Sequence, residues 1–438
     1  MKKITLLLLA LVIFSCSDDN VITSPEISID DEDEKEVEMD DPVDETVSIE
    51  DLRIGDLTVN YVNPEISPKD NYMLWIELNT DNGFTGKVWH CGIDPATGDL
   101  IPEDGKGFSP FTSNIYARPA DWGVDELGVF YIGANLEGAV KLVRPVTPTT
   151  GTVEDIAIES SNKRRVFYPS QLPNSNERFV SFIENDVING FSSSTPQNTN
   201  FQLRLLDLKN PENNYLIKEE ASAIPNPIAM DVLVPRWIKG SPYLTFGSQD
   251  ANGQVQATEI NAFEPANAPL IITNDAANKV DGHPIRNSDT GEQYFFSGNN
   301  GTDKANVYQR MAFGEAFTSL KEIAPVSVHL ENPALNQSHE PFIFNGEVYT
   351  TFQINEEGVD FFETTFNKPG EIWMAKVSGA TTEFTLLSDF DAELCVSEPE
   401  PYKGTDSVWI FYSAVDVDPD TPYLKRQFQL RRSTAIRP

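Results

Sequence analysis

The chain has 438 residues, with 32 Lys and Arg against 68 Asp and Glu, a formal net charge of −36 and a pI near 4.3. That balance excludes a nucleic-acid-binding surface, which needs clustered cations. The length is enough for one large or two ordinary domains.

The chain begins "MKKITLLLLALVIFSC", two lysines followed by an apolar run of about ten residues, too short to span a bilayer as a helix and suited to a secretory signal. "IFSC" resembles the lipobox of bacterial lipoproteins, which implies a signal peptide over 1–15, cleavage before Cys16 and lipidation of its thiol. A secreted form without lipid is the other reading. "SDDN" follows at once and resembles the acidic tag of Bacteroidetes lipoproteins, which implies a protein lipid-anchored in the outer membrane and facing the exterior. From 16 to 52 the chain is dominated by Asp and Glu, with Lys35 the only basic side chain. Like charges and low hydrophobicity keep such a segment extended, so it is expected to be a disordered tether. "DDEDEKEVEMDD" lacks the glycine turn and ligand spacing of a calcium loop.

Residues 53–438 form the expected folded domain. Helical periodicity is nearly absent there, and short alternating or apolar strands recur between Asn, Asp, Gly and Pro turns, the pattern of an all-β fold. One unit returns at a period of roughly 50 to 65 residues. Its copies are "NPEISPKDNYMLWIEL" at Asn63, "RPADWGVDELGVFYIG" at Arg118, "YPSQLPNSNERFVSFI" at Tyr168 and "VPRWIKGSPYLTFGS" at Val234. "HPIRNSDTGEQYFFSG" at His283, "EPFIFNGEVYTTFQ" at Glu340 and "EPEPYKGTDSVWIFYS" at Glu398 complete the set. Each reads as a proline-led strand, a polar turn and an aromatic strand, usually with a third strand such as "EIWMAKVSG" behind. Three or four antiparallel strands repeated seven times predict a seven-bladed β-propeller, because a single copy cannot bury both faces of its sheet. A pair of stacked β-sandwiches is the alternative. The last copy is followed by one strand, "RQFQLRRST", so "LTVNYV" (Leu57 to Val62) is expected to complete the last blade from the N-terminal side. Cys91 and Cys395 both sit in strand-like text, either paired as a disulfide or buried as free thiols. The first copy resembles the Pro-Asp repeat of TolB-like propellers.

If the first strand of each blade lines a central channel, the residue before each proline occupies a matching position. Those positions carry Asn63, Arg118, Tyr168, Val234, His283, Glu340 and Glu398, with Glu65, Arg236, His339 and Glu400 beside them. Arg118 and Arg236 are suited to bind a carboxylate or sulfate bidentately. Tyr168 and His283 are suited to give and take protons. A cationic neutraliser, a base and an acid are what β-elimination on a uronate requires, since the enolate that follows loss of the C5 proton must be stabilised. Asn63 and Glu398 are the candidate substrate contacts. His283, His339 and Glu340 are candidate ligands for a divalent metal, Mn, Ca or Zn. His90 in "VWHCG" reads as a packing residue and His329 as a loop residue.

The set resembles the propeller-fold uronate lyases, including oligogalacturonate lyase and the ulvan lyases, and related dehydratases. The motif "NQSHEP" is similar to the Gln and His metal ligands of oligogalacturonate lyase, with His283 one blade earlier and Glu340 where a further histidine is expected. The resemblance implies a carbon–oxygen lyase or dehydratase on uronate-containing oligosaccharides such as ulvan or pectin fragments. The acidic body repels long polyanions, which favours short acidic oligosaccharides and a monomeric enzyme. Two other functions remain open. A glycosidase would use Glu65, Glu340, Glu398 and Glu400. A non-catalytic glycan-binding lipoprotein would use aromatic residues such as Trp122, Trp237 and Trp409.

Overall fold

The computed structural model describes residues 50–79, 85–114, 120–158, 164–185, 201–220, 235–274, 279–299, 304–324, 327–331, 333–335, 339–356, 368–418, 420–421 and 426–437. The signal, Cys16 and nearly all of the acidic segment lie outside them, as do Arg118, Val234 and Gln337. Among the described residues every regular element is a strand, and the strands form seven antiparallel sheets. These are the blades of a seven-bladed β-propeller.

The inner strands are Tyr61–Ile66, Ala120–Asp125, Arg164–Pro169, Arg236–Trp237 and Lys279–Arg286 in blades 1 to 5. In blade 6 the inner edge is divided between Pro333–Leu335 and Glu340–Phe344, which pair in turn with the long second strand Glu347–Glu356. In blade 7 the inner strand is Leu394–Lys403. The expected blade starts at Asn63, Tyr168, His283, Glu340 and Glu398 all lie in these strands.

Alternation explains why each blade needs its neighbours. Second strands such as Tyr72–Leu78 ("YMLWIEL") and Val408–Asp416 ("VWIFYSAVD") bury nearly every residue, so both sheet faces are apolar. Apolar clusters fill every gap between successive blades. Leu74, Val88, Trp122 and Tyr131 join blades 1 and 2, Phe130, Leu142, Phe167 and Phe182 join 2 and 3, and Tyr168, Leu205, Trp237 and Phe246 join 3 and 4. The series continues through Phe295 and Ala257, Phe296 and Phe352, and Met374 and Ile410. It returns to its start where Tyr61 and Trp75 of blade 1 meet Trp409 and Phe411 of blade 7. A closed circuit of clusters is what a ring of radial sheets requires. Polar ties reinforce it. Arg310 of blade 5 makes a buried two-pronged pair with Glu259 of blade 4 at 2.6 and 2.7 Å, and Gln293 accepts from its Nε at 3.0 Å.

The closing strand differs from expectation. Asp51–Ile54 pairs with Phe428–Ile436 and completes blade 7, whereas "LTVNYV" leads from a turn into the inner strand of blade 1. The fold therefore begins ahead of the expected boundary at 53. Asp51 is acidic like the segment before it, but its carboxylate takes Arg431 Nε and Nη2 at 3.2 and 3.1 Å and the backbone N–H of Asp389 at 2.9 Å. Charge pairing, not hydrophobicity, marks the start of the domain.

Candidate functional site

Four consecutive blades bring side chains together at the inner strands. Arg236 Cζ of blade 4 stands 5.7 Å from the ring centre of Tyr168 in blade 3. Arg236 Nη2 lies 3.5 Å from His283 Nε2 of blade 5. His283 Nδ1 lies 3.5 Å from Glu340 Oε2 of blade 6. Tyr168 and His283 are buried, at 6% and 5% exposure, and the Glu340 side chain is partly exposed. The expected cationic, phenolic and imidazole groups of adjoining blades thus form one row, with Arg236 in the place given to Arg118 and Arg236 together.

The row is held by backbone ties that recur from blade to blade. Ser181 Oγ donates to Tyr168 O at 3.0 Å, Thr245 Oγ1 to Arg236 O at 3.1 Å and Thr351 Oγ1 to Glu340 O at 3.3 Å. Each hydroxyl sits on the second strand directly opposite the residue it holds. Trp237 Nε1 then donates to Tyr168 O at 2.7 Å, and Trp122 Nε1 to Glu65 O at 2.9 Å, locking inner strands of neighbouring blades in register.

Proline is not the marker of equivalence throughout. In blade 5, Val280 pairs with Gly298 and His283 with Phe296, so Asp281 and Gly282 share the place opposite Ser297. Blades 1 and 7 shift register in the same way, between Val62 and Glu65 and between Ser397 and Glu400. His283 is therefore level with Glu65 and Glu400, both buried, and not with Asn63 and Glu398. Those two occupy the bulges themselves and have positive φ, 54° and 57°. A left-handed residue before proline is disfavoured on both counts, and such strain, of order 1 to 3 kcal/mol, gathers where a bulge re-aims a side chain. Asn63 Nδ2 donates to Glu65 Oε1 at 3.2 Å.

The hydrogen-bonding inventory relates the histidine tautomer to its neighbours. Arginine has only N–H donors, so a hydrogen bond from Arg236 to Nε2 requires the tautomer that carries its proton on Nδ1, the nitrogen facing Glu340. Arg236 Nη1 is buried and has no hydrogen-bond partner among the described residues. An unmatched N–H on a buried guanidinium costs about 1 to 3 kcal/mol, and a carboxylate ligand is the group that best relieves it.

The other expected residues fall elsewhere. His339 is fully buried, its ring centre 6.2 Å from that of Phe352. Among the described residues no group of three or more His, Cys, Asp and Glu is placed to hold a metal ion. His283 and Glu340 supply two donors, and Arg236 sets a cation against Nε2, so the described residues do not fit the expected metal. Trp122, Trp237 and Trp409 are buried at 2%, 6% and 5% and act in the core, not as sugar platforms. Cys91 and Cys395 are buried and not joined in a disulfide, their thiols pushed up by desolvation, Cys395 to about 12. His90 is a packing residue among aromatic rings. His329 donates or accepts at 2.7 Å with buried Glu371 and stacks on Phe390. A cleft of about 510 Å³ between blades 1 and 2, lined by Lys69, Tyr72, Ile101 and Arg144 among others, contains none of the row, and its arginine is already engaged by Asp125.

Sequence reasoning did not single out the cations where the inner strands of blades 4, 5 and 7 end: Lys239, Arg286 and Lys403. The signal was present as the matching "IKG" and "YKG" that close the inner strands of blades 4 and 7.

Comparison with solved structures gives the fold independent support. The chain is similar to oligogalacturonate lyase from Vibrio parahaemolyticus, with a TM-score of 0.51 and 10% identity over 90% of this chain and 96% of that one. An oligogalacturonate lyase in complex with manganese matches at TM-score 0.41 and 10% identity, covering 88% and 97% of the two chains. Trypanosoma rangeli sialidase in complex with the inhibitor DANA matches at 0.41 and 9%, covering 86% and 55%. No family model matches the sequence, and no curated protein matches it. At these identities the likeness is one of fold, a propeller that serves as an enzyme scaffold in the first of these structures.

Proposed function

We propose that the protein is a carbon–oxygen lyase acting by β-elimination on short uronate-containing oligosaccharides. The observation that carries the reading is the row Tyr168, Arg236, His283 and Glu340, with the buried Nη1 of Arg236 unmatched among the described residues. An incoming uronate carboxylate takes the two outer nitrogens of Arg236 and draws Nη2 away from His283 Nε2. The freed Nε2 lone pair removes the C5 proton, while Glu340 holds the Nδ1 proton and stabilises the imidazolium that forms. Arg236 neutralises the developing enolate. The C4–C5 double bond forms as the C4–O bond breaks, and Tyr168 supplies the proton to the departing oxygen. Asn63 and Glu398, re-aimed by their bulges, are the proposed contacts to neighbouring sugar hydroxyls.

The similarity to oligogalacturonate lyase supports the reading at the level of scaffold. The reading extends to location, as a surface lipoprotein anchored through Cys16; Cys16→Ala is then expected to move the protein from the membrane fraction to the soluble one, and unchanged fractionation would contradict it. The chemical test is incubation with uronate oligosaccharides while following absorbance at about 235 nm, where the conjugated product absorbs. Growth of that band supports elimination. New reducing ends without it assign a glycosidase, and binding without turnover assigns a glycan-binding protein.

A further inference from the structure

The cleft between blades 1 and 2 takes its polar side from four consecutive residues. Lys69, Asp70 and Asn71 lie in the turn between the inner strand Tyr61–Ile66 and the second strand Tyr72–Leu78, which Tyr72 opens. Ile101, in the short outer strand Leu100–Ile101, and Leu127, in the turn before Gly128–Ala134 of blade 2, supply apolar walls. Pro145 and Pro148 add to them from the hairpin formed by Val140–Thr147 and Thr150–Ile156. The volume of about 510 Å³ falls within the range of small-ligand sites, about 300 to 1,000 Å³.

The walls are held in place by the fold itself. Tyr72 stacks on Trp122 of blade 2 at 6.4 Å between ring centres and meets the His90 ring edge-on at 5.9 Å. Ile93 N donates to Asn71 O at 2.8 Å, which ties the polar turn to the third strand, Thr85–Ile93. Gly92 lets the hairpin of blade 2 close on blade 1, since a Cβ there would meet Pro148 Cγ at 2.9 Å and Ile101 Cβ at 3.4 Å. A preformed cleft gives up little conformational freedom when it binds.

Its polar groups are uncommitted and electrically balanced. Among the described residues the side chains of Lys69, Asp70 and Asn71 and the Tyr72 phenol make no hydrogen bond or ion pair. Lys69 and Asp70 offset each other, and Arg144 is cancelled by Asp125, which takes its Nη1 and Nη2 at 3.0 and 2.8 Å. An ammonium, a carboxylate, an amide and a phenol together call for a ligand whose hydroxyls both donate and accept. The prolines, Ile101 and Leu127 call for C–H surface in the same ligand. A sugar ring offers both and needs no charge. An extended peptide matches less well, because it binds by adding to a strand edge and proline gives it no N–H donor.

We propose that this cleft binds a neutral sugar unit, at a site separate from the row of Tyr168, Arg236, His283 and Glu340. The inference rests on the lining of the cleft alone and stands apart from the lyase reading.

Saturation-transfer NMR of the intact protein with methyl glucoside, methyl galactoside, methyl rhamnoside and galacturonate tests it. At least one of the three neutral glycosides is expected to bind wild type, with affinity reduced about tenfold or more in Asp70→Ala or Asn71→Ala. Both changes fall on turn side chains that hold no part of the fold together. His283→Ala in the row and Lys87→Gln, an exposed change outside the cleft, are expected to bind as wild type does. No binding of any neutral glycoside, or binding that both cleft variants leave intact, overturns the proposal. So does loss in His283→Ala alone, which would place the sugar in the row, and so does a clear preference of the cleft for galacturonate.

Discussion

His90 is packed against the rings of Tyr72, Phe108 and Tyr131, with Tyr131 Oη 3.0 Å from its Nδ1 and Thr147 O 3.3 Å from its Nε2. Burial opposes the charged form and pushes its pKa from 6.5 down to about 4. Between those values the unfolded chain takes a proton that the folded chain refuses, so stability falls as pH drops through that window, by roughly 3 kcal/mol in all. Urea midpoints of wild type and His90→Phe between pH 7 and 4.5 measure this; the variant is expected to show a flatter dependence, and parallel curves would contradict it. Cys91 and Cys395 follow the same physics with the opposite charge. Their thiolates are disfavoured, so neither is expected to react with iodoacetamide in the folded protein and both in urea, as peptide mapping would show. In the proposed mechanism Arg236 neutralises the enolate. Lysine keeps the charge and loses the fork, so Arg236→Lys is expected to lower kcat/KM on a uronate oligosaccharide about 100-fold, near 2.7 kcal/mol of transition-state stabilisation.

At the scale of strands, the sequence made blade starts legible because proline, a polar turn and an aromatic second strand recur together. The tight turn of blade 6 is an instance: Asn345 and Gly346 both have positive φ, 51° and 79°, as a two-residue hairpin loop requires. Register was less legible. The bulges before Glu65, His283 and Glu400 shift pairing without any local sequence mark, so aligning copies on proline set His283 level with Asn63 instead of Glu65. Arg236, expected to share anion binding with Arg118 from a place beside Val234, is the arginine whose side chain meets Tyr168 and His283. The closing strand was missed because its stability comes from Asp51 and its distant partner Arg431, a pairing no local pattern shows. Asp51→Ala leaves that guanidinium without its carboxylate and is expected to cost about 3 kcal/mol. Glu259→Leu, which strands Arg310 between blades 4 and 5, is expected to cost a similar amount. Denaturant titration of each checks this, and a loss below about 1 kcal/mol would show that the ring does not rely on these ties.

At the scale of the whole molecule, a ring of seven sheets joins residues more than two hundred positions apart, and the inner strands of an acidic chain carry Arg236 beside Tyr168 and His283. The net charge of −36 repels an acidic oligosaccharide at long range, while the contacts made inside are short and partly desolvated. Raising salt from about 10 to 150 mM, which shortens the screening length from about 30 to 8 Å, is therefore expected to raise kcat/KM on such a substrate. A steep fall instead would mean that exposed cations do the steering. The central claim is that four adjoining blades assemble one proton-transfer site, and the most direct measurement is the rate of unsaturated product formed from a uronate oligosaccharide by wild type, His283→Ala, Tyr168→Phe and the remote His90→Gln. The account predicts product from wild type and His90→Gln and a loss of at least about 100-fold in the other two. Equal rates in all four proteins would contradict it.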